Sequence, residues 1–172
     1  MVMVNERVKN ILSLVERFKA FEMRHVNLLY YDYKYSHIAC QKKLTAMVKD
    51  GLLKRKRNNM NARYFYYIDK EPKQLEHKLK LLDLYVDMCM KHGINNVMCV
   101  PEYAVEGIRP DAYMEVIDGK RKYLFYVEVQ ICNIPVDLAK YEMLYKKADE
   151  VFPTIIVIGK KAEHEFLPVK CL

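Results

Sequence analysis

No C-x-x-C pair and no run of Cys and His at ligand spacing occurs in these 172 residues, although cysteines stand at 40, 89, 99, 132 and 171. That excludes a zinc framework and a disulfide scaffold, and leaves the thiols reduced and buried as small hydrophobes. The histidines, at 25, 37, 77, 92 and 164, are scattered singly and form no metal or nucleophile pattern. No apolar run approaches the roughly 20 residues of a bilayer span. Acid and amide side chains come too early in "MVMVNERVKN" for a signal peptide, so a cytoplasmic location is expected. The pervasive polarity of a disordered chain is also missing. Hydrophobic residues make up 52% and charged residues 30% of the sequence, enough for a core that needs no staples.

The charge is unevenly placed. Residues 1–73 hold 16 Lys and Arg against 7 Asp and Glu, net +9, whereas residues 74–172 hold 13 against 15, net −2. An asymmetry of this kind points to a polyanion handled by the first half.

Within that half, Val8, Ile11, Leu12, Val15 and Phe18 recur at helical spacing, with Asn5 as the cap. A second helix fits "EMRHVNLLYY". Ser36 opens a third, "SHIACQKKLTAMVKDG", in which Ile38, Leu44, Met47 and Val48 face inward and Gly51 supplies the stop. The basic segment "LLKRKR", the polar turn "NNMNA" and the aromatic run "RYFYYI" then read as a hairpin with a cationic tip. Three helices and a basic hairpin are the pattern of a winged helix-turn-helix, with double-stranded DNA as the expected partner. Its third helix would offer Ser36, His37, Gln41, Lys42 and Thr45 to the major groove, while Lys54, Arg55, Lys56, Arg57 and Arg63 meet phosphates. The competing use of the Lys/Arg run is a solvated face. The tyrosines of "YYDYKYS", residues 30–36, lack the histidine cluster that a nicking nucleophile needs and are assigned to packing and phosphate hydrogen bonds.

Residues 1–72 are thus expected as a DNA-binding domain and residues 73–172 as a second domain. The second begins with a helix whose seam, Leu75, Leu79, Leu82, Val86 and Cys89, suits packing on a sheet or a homodimer contact. The strand "NVMCV" follows, then a hairpin, a helix from about Pro135 to Glu150 and the apolar strand "TIIVIG". That order predicts an α/β layer with a mixed sheet, and α+β for the whole chain.

The hairpin carries the chemistry. Asp118-Gly119 signals its turn, so residues 111–117 and 122–130 should pair antiparallel. Ala112, Met114 and Val116 alternate on one strand, and Tyr123, Phe125, Val127 and Val129 on the other. Only an even loop centred between 119 and 120 puts both sets on one face. The same register sends Asp111 and Glu128 together to the other side, with Cβ atoms about 5 Å apart, or about 7–8 Å if displaced by one pair. Two such carboxylates repel, and Mg²⁺ or Mn²⁺ would relieve them.

Pro110-Asp111, a hairpin, Glu128-Val129-Gln130 and a helix bearing Lys140 and Tyr141 resemble the PD-(D/E)XK nuclease superfamily. With a winged helix in front, the arrangement is similar to the replication-relaxation family of plasmids and other mobile elements. The resemblance implies a nuclease-like second domain and a role in plasmid replication, transfer or transcriptional control. It also implies that Asp111 and Glu128 are metal ligands, and that Asp111, Glu128, Gln130 and Lys140 are the catalytic positions. Gln130 stands where active members usually have lysine, and a neutral amide cannot steady the charge developing on a phosphate. Lys140 is the candidate replacement from the following helix, where it lies on the flank of the apolar face. Glu76, Glu102 and Glu106 are further acids, each readable as a ligand or as a solvated carboxylate. Two functions follow: a DNA-binding protein with a degenerate nuclease-like domain, or an Mg²⁺-dependent endonuclease or nickase.

Overall fold

The computed structural model describes residues 5–31, 36–131, 136–148, 151–159 and 168–171. The fold is α+β, with five α-helices and two sheets among the described residues. Backbone contacts divide the chain into two units, Met1–Val86 and Asp87–Leu172.

In the first unit, α1 (Glu6–Phe18) opens where the Asn5 side chain accepts the Val8 N–H at 3.1 Å. It closes on Lys19, whose φ of 69° is left-handed. Its buried stripe is Val8, Ile11, Leu14, Val15 and Phe18. Leu14 takes the place expected for Leu12, because three residues from Ile11 keeps a side chain near the stripe, whereas one residue turns it about 100° away. After β1 (Phe21–Glu22) comes α2 (Met23–Tyr30), in which the Glu22 N–H donates to His25 Nδ1 at 3.0 Å.

The next helix, α3 (Ser36–Lys49), buries Ser36, Cys40, Leu44 and Met47. Ile38, expected inside, is 44% exposed. Two residues past Ser36 is about 200° around the helix, so geometry overrides the side chain's apolarity. Burial pushes the Cys40 thiol up to about 11. Gly51, at φ 75°, ends this segment. Strands β2 (Lys54–Lys56) and β3 (Phe65–Tyr67) form the expected hairpin, and β1 adds to its other side, giving an antiparallel sheet in the order β1-β3-β2. Phe21 stacks on Tyr66 across it, centroids 5.3 Å apart.

The long helix α4 (Leu75–His92) contains the division between units. This differs from a boundary at 72/73 because the first part of α4 is built into the first unit. Tyr85 packs on Phe18 at 5.1 Å. Asp83 Oδ1 lies 2.7 Å from His25 Nε2 and 2.6 Å from an Arg24 nitrogen. Leu82, Val86 and Cys89 of the expected seam are buried, with Leu81, Leu84 and Tyr85 beside them, while Leu75 and Leu79 are half-buried.

The second unit is a five-stranded mixed sheet in the order β4-β5-β6-β7-β8: β4 (Val97–Pro101), β5 (Ala112–Asp118), β6 (Arg121–Val129), β7 (Thr154–Ile158) and β8 (Val169–Cys171). The first two pairings are antiparallel and the last two parallel. The hairpin pairs run from Ala112 with Val127 to Asp118 with Arg121, the even register that the alternation requires. Ala112, Met114, Val116, Val127 and Val129 are buried; Phe125 is half-buried and Tyr123 exposed, toward the hairpin tip. The helix expected over 135–150 is shorter. It starts with a 3-10 turn at Ala139–Tyr141 and continues as α5 (Glu142–Lys147). Asp137 sets the start by accepting the Ala139 N–H at 3.1 Å. Pro135 and Glu150 lie outside the described residues. No helix among the described residues is long and apolar enough to cross a membrane.

Candidate functional site

Two groups of polar side chains stand out, one in each unit. In the first, α3 turns His37, Gln41, Lys42 and Thr45 to solvent. Gln41, Lys42, Thr45, Ala46 and Lys49 line a shallow depression of about 390 Å³. Lys49 and Ile38, also exposed, extend this face at helical spacing. Ser36 is not on it: the residue is buried, and its hydroxyl donates to Asn27 Oδ1 at 2.9 Å.

The hairpin cations Lys54, Arg55, Lys56, Arg57 and Arg63 are all exposed, but they are held differently. The guanidiniums of Arg55 and Arg57 lie over the Tyr64 ring, 4.9 and 5.1 Å from its centroid. Such stacking orders a cation without neutralising it. Lys54 donates to the Asp69 carbonyl, Lys56 sits 2.6 Å from a Glu71 oxygen, and Arg63 is 3.8 Å from Glu22.

In the second unit, β6 places Glu128 on the sheet face covered by the 3-10 turn, where Tyr141 is fully buried. Asp111 lies one residue before β5, and its Oδ2 accepts the Val129 N–H at 2.7 Å. Glu128 is 6% exposed. Its Oε1 receives both Lys140 Nζ, at 2.6 Å, and the Tyr141 hydroxyl. Burial holds the Glu128 carboxyl above its usual range; Lys140 and Tyr141 oppose this, and the neighbouring Asp111 charge adds to it. The acids therefore share a neighbourhood, and Lys140, placed by periodicity on the helix flank, turns in to meet Glu128.

Gln130 is half-buried at the end of β6, and its N–H donates to the Ile158 carbonyl at 2.8 Å. A Cβ on Gly159, whose φ is 138°, would come within 2.5 Å of the Gln130 carbonyl oxygen. Backbone closeness thus fixes this position. Glu76 is a solvated helix acid, 3.7 Å from Lys80. Glu102 pairs with Arg109 at 2.8 Å and Glu106 with Lys147 at 3.5 Å.

How well this donor set suits Mg²⁺ or Mn²⁺ follows from what the carboxylates already hold. A hard cation takes oxygen ligands and is repelled by an ammonium that shares one of them. Glu128 has an ammonium and a hydroxyl donor on one oxygen, and Asp111 has a backbone donor. Among the described residues no group of three or more His, Cys, Asp and Glu side chains comes together as a metal cluster would. As arranged, one oxygen of each acid already holds a protein donor, and an ion would have to displace that donor or share with it. Tyr141, which the sequence offers only as the neighbour of Lys140, joins the group through its hydroxyl on Glu128. Comparison of the chain with protein-family models, with curated proteins and with solved structures returns no match.

Proposed function

We propose that the chain is a double-stranded DNA-binding protein whose first unit acts as a winged helix-turn-helix. In this reading α3 enters the major groove and the β2-β3 hairpin lies along phosphates. The observation that carries it is the exposed stripe His37, Gln41, Lys42, Thr45 and Lys49, accompanied by the Tyr64-stacked Arg55 and Arg57. Its unit, cut at Val86, holds 18 basic against 9 acidic residues, net +9. The second unit is read as a nuclease-like domain that has lost its ion. A winged helix in front of the Pro110-Asp111 and Glu128-Val129-Gln130 motifs resembles the replication-relaxation family of mobile elements, and that resemblance supports plasmid replication, transfer or transcriptional control as the process served.

Salt dependence tests the binding. Each phosphate neutralised contributes about −0.9 to the slope of log K against log salt. Replacing Lys54, Arg55, Lys56 and Arg57 together by glutamine should flatten that slope by about 2 to 3, less than four full contacts because Lys54 and Lys56 are already engaged. An unchanged slope would remove the proposal.

The second reading, an Mg²⁺-dependent endonuclease or nickase using Asp111 and Glu128, draws support from the register that brings the two acids together. Incubation with supercoiled, linear and branched DNA and Mg²⁺ or Mn²⁺ separates the two. Cleavage abolished by Asp111→Ala selects the enzyme, and intact DNA selects the binder.

A further inference from the structure

We propose that Lys140 is the resident cation of the second unit, supplying the positive charge that a divalent ion would otherwise bring to Asp111 and Glu128 and so closing this pair to Mg²⁺ and Mn²⁺. The side chain is held from two sides. Its ammonium is 2.6 Å from Glu128 Oε1 and 5.2 Å from the centre of the Tyr141 ring. Its exposure is 27%, against 75% for Lys146 and 62% for Lys147 on the same helix. Those two make looser pairs at the surface, 3.8 Å from Glu142 and 3.5 Å from Glu106.

The chemistry of the pair calls for such a charge. Glu128 is buried, and a like charge, Asp111, lies close enough to disfavour its ionised form. A buried carboxylate without a cation or hydrogen bonds is strongly disfavoured. Lys140 and Tyr141 provide both, and they do so on one oxygen. A divalent ion would have to share Glu128 with the ammonium against its repulsion, and would also have to compete with the Val129 N–H for Asp111. Removing only the charge reverses the balance. A methionine at 140 keeps an unbranched apolar side chain beside Tyr141 and takes the ammonium off Glu128 Oε1.

The experiment is a titration of the full chain with MnCl₂, following the free Mn²⁺ resonance, with thermal unfolding recorded at each point. It contains no DNA, so its result is independent of the DNA-binding proposal. The wild type is expected to take up no Mn²⁺ that depends on Glu128. Lys140→Met is expected to bind Mn²⁺ at least about tenfold more tightly than the wild type and to gain thermal stability with it. Adding Glu128→Gln to that variant should abolish the gain, and Lys140→Arg, which keeps the charge, should remain silent. Mn²⁺ uptake by the wild type that disappears in Glu128→Gln overturns the proposal without recourse to any Lys140 variant. So does a folded Lys140→Met, or Lys140→Gln, that gains no affinity.

Discussion

The two units use lysine and arginine in opposite ways. In the first, cations exceed acids, and the hairpin keeps Arg55 and Arg57 outward on the face of Tyr64. In the second, five glutamates each face a cation: Glu102 with Arg109, Glu106 with Lys147, Glu115 with Lys122, Glu128 with Lys140 and Glu142 with Lys146. Net charge alone would call the second unit mildly acidic and inert. The pairing says more: several of its cations already face an acid of the same unit, and only the first unit has cations in excess of its acids.

Tyrosine sharpens the contrast. Tyr141 is fully buried, packs on Tyr126 at 5.5 Å and donates to Glu128, whereas Tyr64 is 38% exposed. Tyr141→Ala should destabilise the protein by about 3–5 kcal/mol, combining a cavity with a carboxylate stripped of one donor. Tyr64→Ala should stay within about 0.5 kcal/mol and weaken DNA binding instead. Urea denaturation beside a DNA titration measures both, and a folding loss at Tyr64 equal to that at Tyr141 would erase the distinction.

Glycine gives a smaller effect of the same kind. Gly51 and Gly159 both have positive φ, yet a Cβ at Gly51 meets nothing within 4 Å, while at Gly159 it strikes the Gln130 carbonyl. Gly51→Ala should cost about 1 kcal/mol from backbone strain alone. Gly159→Ala should cost about 2–3 kcal/mol, because β7 must also move away from the end of β6. Equal losses in denaturation would mean that the close approach at Gln130 has no energetic weight.

Much of the fold can be read from the chain because local chemistry and tertiary packing agree. Asn5 caps α1 through its own side chain, and Ala112, Met114 and Val116 set a hairpin register that admits only one loop length. Where they disagree, packing wins. Cys40 is buried and Ile38 exposed because α3 has one inward stripe. The two-residue β1 carries no periodic signal at all. The part-buried bond from His25 to Asp83 joins residues 58 apart, a pairing that no local pattern announces. At the carboxylates, the shared face was legible from alternation. The occupancy of Glu128 was not, since it depends on the 3-10 turn that brings Lys140 and Tyr141 down together.

Acid dependence is the finest test, since it sets one carboxylate of each unit against the other. At Asp83, burial works to raise the pKa, but the hydrogen bonds from His25 and Arg24 outweigh it and hold the group below its usual 3.8. The unfolded chain then binds more protons than the folded one just below that value, so this stabilisation is complete above pH 3.8 and is lost as pH falls through the lowered folded pKa. Glu128 behaves in the reverse sense. Its folded pKa lies above 4.5, chiefly through burial, so the folded chain holds the extra proton and stability declines as pH rises from 4.5 through the raised value. Relative to Asp83→Asn the wild type should therefore gain stability on raising the pH toward 4, whereas relative to Glu128→Gln it should lose stability on raising it further. If both differences move in the same direction, Lys140 and Tyr141 stabilise Glu128 by more than its burial costs, and the second unit's internal pairing is stronger than its geometry implies.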